Sequence, residues 1–370
     1  MFPQQIKKEK IDMDKNKQLD KIRGSLVGGA VGDALGYPVE FIYSYKDIQA
    51  KYGENGITKL DATHRWTPNG ESGSKAWISD DTQMTLFTAC GLLNAKATGS
   101  APLPSICSAY IEWLYTQKGY KSERFSNCWV GAIPELNQRR APGTTCITAL
   151  EEILRGHDPI NSSKGCGGVM RIAPIPLYGV AQGRIANIEA LDRMAADASK
   201  LTHLHPLGYI PAALLAHVIY RLAANENPTR ERLMEYISEG MEACRGLFAE
   251  EKSSLVDLQL LVDKAMMLSK EDLADVEAIG EIGEGWVAEE TVAIALYCAL
   301  KYFDNFEKAL IAAVNHKGDS DSTGAVTGNI LGAALGYDAI PQHFKDDLEL
   351  HDVILHVADD LYRGETTKYK

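Results

Sequence analysis

The sequence predicts an all-α fold. Three observations carry that prediction: apolar residues recur at helical spacing in long segments, one segment is apolar nearly all round, and no alternating run is long enough to build a sheet. The expected architecture is a compact single-domain orthogonal helical bundle.

Taken in chain order, residues 1–18 read as a polar tail. Its opening is charged and has no apolar stretch of the kind a secretory signal needs. The glycine-containing segment "GGAVGDALGY" (28–37) is echoed by "GNILGAALGY" (328–337), with matches at Gly28/Gly328, Gly32/Gly332, Leu35/Leu335, Gly36/Gly336 and Tyr37/Tyr337. Glycines four apart on a helix let another backbone approach, so both segments are expected to be tightly packed core helices. Asp33 has no counterpart in the echo, where Ala333 stands.

Residues 58–76 form a long polar, glycine-rich loop, a type often used as a lid or binding loop. "TGSAPLPS" (98–105) reads as a connector. "TRERLMEYISEGMEACRGLF" carries a helical stripe through Leu233, Ile237, Met241, Cys244 and Phe248. "EETVAIALYCALKYF" suits a helix at the centre of a bundle. "DDLELHDVILHVADDLYR" places Leu350, Val353, Ile354, Val357 and Leu361 on one face. No linker separates regions of different composition, so one domain is expected over residues 19–365.

Of the 370 residues, 45% are hydrophobic and 24% charged, an ordinary globular composition. A net charge of −12 excludes a general binder of nucleic-acid backbones, which needs a basic surplus to displace counterions. A small anion held by glycines, helix ends or metal ions remains open. No run approaches the roughly 18 apolar residues of a membrane span. The seven cysteines are dispersed without a CxxC pair, which predicts reduced thiols in a cytoplasmic protein and no zinc site built on their spacing.

Two acidic clusters stand out. "WISDDTQMTLF" sets Asp80 beside Asp81, and "NHKGDSDSTGAVTGN" sets Asp319 and Asp321 among Ser320, Ser322 and Thr323. Both precede predicted helices, where one acid suffices as a cap. Doubled acids in both places exceed that need. Hard divalent cations take oxygen ligands, and a binuclear oxygen site offsets repulsion between close carboxylates. The DDxxD spacing of all-α terpenoid synthases is absent, since Thr82 follows Asp81 and Met84 holds the fifth position.

These residues bring out a resemblance. The chain resembles the ADP-ribosylglycohydrolases through "GSLVGGAVGDALGYPVEF", "ISDDTQMTL", "CGGVMRIAP", "THLHPLGYIPAA", "GEGWVAEETVAIAL" and "NHKGDSDSTGAVTGNILGAALG", in family order over residues 20–340. The resemblance implies a central binuclear site holding two Mg²⁺ or Mn²⁺ ions. By position its ligands are Ser79, Asp80, Asp81, Asp319, Asp321 and Ser322, with Ser79 and Ser322 where relatives commonly carry Thr. Glu40 matches the family's acid beside the scissile bond, so the implied catalytic set is Glu40, Asp80, Asp81 and Asp321; Asp33 is expected to support it.

The turn Gly165, Gly167, Gly168, Val169 and Met170 is expected to cradle a diphosphate with backbone N–H groups. His203 matches a family histidine beside that diphosphate. His205 has a weaker claim, and Arg171 is left between phosphate contact and a local ion pair. Some relatives carry an acid in the loop corresponding to "RRAPGTT" (139–145). This chain has Ala141, Pro142 and Gly143 there, so a mechanism drawing a carboxylate from that loop does not fit it.

The implied activity is hydrolysis of an ADP-ribosyl bond on a protein side chain, arginine preferred over serine, with ADP-ribose as product. The alternative is a catalytically silent ADP-ribose binder or a toxin-neutralising immunity protein, for which the N-terminal tail would meet the toxin. Retention of oxygen side chains at all six ligand positions favours the enzyme.

Overall fold

The computed structural model describes residues 14–62, 75–120, 127–183 and 187–369. Among these, sixteen α-helices form and no strand does. They are α1 (Lys15–Gly36), α2 (Tyr45–Tyr52), α3 (Asp80–Thr98), α4 (Pro102–Gln117), α5 (Thr144–Leu154), α6 (Pro174–Gln182), α7 (Ile188–Lys200) and α8 (Pro206–Ala224). There follow α9 (Arg230–Leu247), α10 (Lys252–Leu268), α11 (Asp275–Ile282), α12 (Ala288–Lys301), α13 (Phe306–Val314), α14 (Ser320–Leu335), α15 (Gln342–Asp347) and α16 (His351–Arg363).

The two echoed segments pack on each other as α1 and α14. A Cβ added at Gly32 would lie 2.0 Å from the Gly324 carbonyl oxygen, and one added at Gly328 would lie 2.0 Å from that of Gly28. Gly24 meets Gly332 in the same way, so the helices run antiparallel with backbone on backbone. Each interior glycine costs about 1 kcal/mol of helix propensity. The close approach offsets that cost with dispersion contacts and with reciprocal bonds: Ser25 Oγ donates to the Asn329 carbonyl at 2.9 Å, and Asn329 Nδ2 donates to the Ser25 carbonyl at 2.8 Å. The register sets the end of α1, with Asp33, beside the start of α14, with Asp321.

The predicted helical stripes appear as α9, α12 and α16, and the apolar residues of α12 are buried throughout. Three boundaries differ from the sequence expectation. Asp14 caps α1 through its side chain, so the helix begins inside the expected tail, of which residues 1–13 lie outside the described residues. The connector after α3 shrinks to three residues because Gly99 ends that helix in the left-handed region and Pro102 starts the next at a position where its missing N–H costs nothing. The last stripe is broken at its first member: Leu350 takes φ 58° and α16 starts at His351.

Helix α8 is long and apolar enough to cross a membrane, contrary to the sequence expectation, but most of it is buried against other helices. Most of the 58–76 loop, residues 63–74, lies outside the described residues. The cysteines that fall in the described part are all free.

Candidate metal centre and active site

The first acidic cluster is not spent on capping. Ser79 is the N-cap of α3, and its hydroxyl accepts the Asp81 N–H at 3.2 Å, leaving both carboxylates of the first turn for other work. The segment leading in is pinned from three sides. Asp33 accepts the N–H groups of Ser79 and Thr82. The buried Arg140–Glu349 pair (3.0 Å) takes the Ile78 carbonyl on Arg140 and the Ile78 N–H on Glu349. The Arg140 carbonyl accepts the Asp80 N–H, and the Gly143 N–H donates to Asp80 Oδ2 at 3.3 Å. The 139–145 loop, which brings no acid, thus orients one.

The second cluster behaves alike. Asp319 occupies the N-cap position of α14 without making a side-chain cap bond, and its N–H is held by the Glu284 carbonyl at 2.9 Å. Asp321 sits in the first turn and accepts the Ser322 N–H at 3.0 Å. Glu40 stands on the turn after α1, its N–H closing on the Gly36 carbonyl. One oxygen each of Glu40, Asp319 and Asp321 lies within 4.8 Å of the others, and all three residues are buried. Glu40 Oε2 and Asp81 Oδ2 are buried without any hydrogen-bond partner.

Burial raises all these carboxyls. At Asp80 and Asp81 the Asp321 charge adds to it, and both stand well above the usual carboxylate range. Asp319 follows the same order, and Glu40 is raised by burial, then by Asp321 and Asp319. Asp33 is pushed up to about 7 by burial and Asp321, with the Thr82 and Ser79 hydrogen bonds opposing. Concentrated buried acids with unmet lone pairs fit divalent cations, whose charge reverses this penalty. The six positions expected as ligands, Ser79, Asp80, Asp81, Asp319, Asp321 and Ser322, all lie at the N-terminal ends of α3 and α14.

The glycine-rich turn folds as a short 3-10 segment, Cys166–Gly168. It uses several of its own N–H groups: Gly165 donates to Ser163 Oγ, Val169 and Met170 to the Cys166 carbonyl. These bonds commit much of the turn's backbone to its own fold. The glycines are required sterically, since a Cβ at Gly167 would lie 3.1 Å from His203 Cε1 and one at Gly168 would lie 1.9 Å from Ser199 Oγ.

Of the two contacts left open for Arg171, the local ion pair does not form among the described residues. Arg171 is buried, donating to the Ala198 carbonyl and to Thr202 Oγ1 (2.7 Å) and lying over the Tyr110 ring at 4.2 Å. The Thr202 hydroxyl also pairs with His203 Nδ1 at 2.8 Å, which leaves Nε2 as the ring nitrogen facing the turn. Burial and then Arg171 lower His203 to about 3, which keeps the ring neutral. His205 caps α8, accepting the Leu207 N–H on Nδ1.

Sequence reasoning missed three participants. Arg140 and Glu349 are 209 residues apart, and nothing local marks them as partners. Cys166 stands in a quoted motif, yet the acidic cage was expected to be free of sulfur; its Sγ donates to Asp319 Oδ2 at 2.7 Å. Beside it, Trp286 accepts the Cys166 N–H and stacks on Phe41 (centroids 6.0 Å apart, planes at 27°), the residue after Glu40.

Comparison with known proteins finds relatives along nearly the whole chain. The sequence model described as ADP-ribosylglycohydrolase matches residues 14–370. The chain is 25% identical to the human ADP-ribosylhydrolase ARH3, covering 94% of each chain. It is 24% identical to the ADP-ribosylarginine hydrolase Tri1 of Serratia proteamaculans, over 94% of this chain and 80% of that one. A solved ADP-ribosylglycohydrolase-related protein complex shares the fold, with a TM-score of 0.61 at 22% identity, over 94% of this chain and 99% of that one.

Proposed function

Since the chain belongs to the ADP-ribosylglycohydrolase family, we propose that it hydrolyses the bond between ADP-ribose and a modified protein side chain, arginine in the first instance, with two divalent cations, Mg²⁺ or Mn²⁺, in the acidic cage. The observation that carries this reading is the pair of unpartnered buried oxygens, Glu40 Oε2 and Asp81 Oδ2, among carboxylates that burial and mutual repulsion hold above their usual range. The residues suited to hold the cations are Ser79, Asp80, Asp81, Asp319, Asp321 and Ser322. When bound, the cations supply charge neutralisation and Lewis acidity at the distal ribose.

The chain's own groups do the rest. The turn from Gly165 to Met170, with His203 beside it, is the part of the chain suited to take the diphosphate and so to set the anomeric carbon at the cage. Cleavage builds oxocarbenium-like charge on the ribose, which Asp80, Asp81 and Asp321 stabilise. Glu40, buried with one oxygen within 4.8 Å of Asp319 and Asp321, is placed to exchange a proton with the leaving nitrogen or the attacking water. The arginine preference is supported by the Tri1 name and by the Phe41–Trp286 pair, whose π faces beside Glu40 suit a guanidinium.

The test is ADP-ribose release from peptides carrying ADP-ribosyl-arginine or ADP-ribosyl-serine. Faster release from arginine supports the reading; preference for serine moves the linkage. No release from either with cation bound leaves a silent ADP-ribose binder.

A further inference from the structure

We propose that Cys166 is a sulfur donor of the same centre, which lets the cage take a thiophilic divalent cation such as Zn²⁺ or Cd²⁺ through one sulfur together with carboxylate oxygens. The inference rests on the cation reading of the cage. Cys166 Sγ lies 2.7 Å from Asp319 Oδ2, in direct contact with an expected cation ligand. The acidic cage also has open lone pairs, on Glu40 Oε2 and Asp81 Oδ2, in residues only 7% and 3% exposed.

The sulfur is rigidly presented. The Cys166 N–H is tied to the Trp286 carbonyl, its own carbonyl accepts the Val169 and Met170 N–H groups, and Gly165 bridges to Val287. These bonds fix the Cys166 backbone, so that Sγ reaches Asp319 from a set position. Zn²⁺ takes mixed sets of cysteine sulfur and carboxylate oxygen, whereas Mg²⁺ takes oxygen almost alone. With a hard cation bound, the S–H bond and its hydrogen bond to Asp319 stay intact. With a thiophilic cation, the S–H bond breaks as the S–metal bond forms, the proton passes to buffer, and no electron is transferred. Cys166 thus decides how the centre treats soft cations.

The experiment titrates the full chain with Cd²⁺ and follows the sulfur-to-cadmium charge-transfer absorption, with Mn²⁺ binding measured in parallel by calorimetry. All arms carry Cys107→Ser, because Cys107 and Cys166 are the partly exposed thiols and the other five are buried. The band is expected to saturate at one thiolate per chain. It should vanish in Cys166→Ser and in Cys166→Ala, with Cd²⁺ affinity down on the order of 10- to 100-fold and far-ultraviolet dichroism unchanged. Asp81→Asn should also lose the band, tying it to the same cage. An unchanged band in Cys166→Ser overturns the proposal. So does Cd²⁺ displacing Mn²⁺ without any band, which leaves the cage reading standing. Absence of both Mn²⁺ binding and the band overturns the cage reading as well.

Discussion

The Asp33 carboxylate accepts the Ser79 N–H with both oxygens at 3.0 Å, across 46 residues of chain. It also accepts the Thr82 N–H at 3.1 Å. One buried acid on α1 therefore sets the entry angle of α3, and with it the direction of Asp80 and Asp81.

Replacing Asp33 removes that anchor. Asp33→Ala, the residue found in the echoed segment, should cost about 1.5–3 kcal/mol of stability and lower Mn²⁺ affinity on the order of 10- to 100-fold. Urea unfolding and calorimetric titration of the same variant check both.

The α1–α14 contact makes a steric prediction. Gly32→Ala or Gly328→Ala should destabilise by roughly 1–3 kcal/mol despite the better helix propensity of alanine. Gly246 on α9 has open space around the Cβ position. Gly246→Ala should instead stabilise by about 0.4–1 kcal/mol, and thermal melts of the three variants separate the cases.

Breaking the Arg140–Glu349 pair from one side leaves a buried charge. Arg140→Met should cost about 3–5 kcal/mol, and the double variant with Glu349→Leu should recover part of it. Because Arg140 also holds the Ile78 carbonyl, Mn²⁺ affinity should fall in both. A double-mutant cycle on the unfolding free energies gives the coupling.

His203 predicts an acid limb. Its folded value of about 3 lies below the roughly 6.5 of an unfolded imidazole, so the unfolded chain gains a proton first as pH falls. The stability it contributes is full above about 6.5 and is lost as pH falls toward about 3. Relative to His203→Gln, the parent protein should lose melting temperature over that window. Parallel curves would contradict the assignment of a buried neutral ring.

Much of this was legible in the sequence because it is local or repeated. The stripe of α9, the apolar run of α12 and the glycine echo each reflect a packing face that period and composition encode directly. The excess acids at Asp80/Asp81 and Asp319/Asp321 were legible because one carboxylate meets the needs of a helix start. Non-local partners were not: Glu349 looks like any surface acid until the bridge between Ala76 and Leu348 brings it under Ile78. Cys166 was hidden for another reason, since a cysteine without a CxxC neighbour gives no sign that the fold will set it against Asp319. Arg171 could not be placed from sequence because its partners, the Ala198 carbonyl and Thr202 hydroxyl, lie on a different helix and turn.

The central claim is that the buried acids act through bound divalent cations. The most direct measurement is ADP-ribose release from an ADP-ribosyl-arginine peptide by protein stripped of metal and then resupplied with Mg²⁺ or Mn²⁺. The account predicts no release by the stripped protein, recovery on resupply, and no recovery in Asp81→Ala or Asp321→Ala. Release by the stripped protein at the resupplied rate would contradict it.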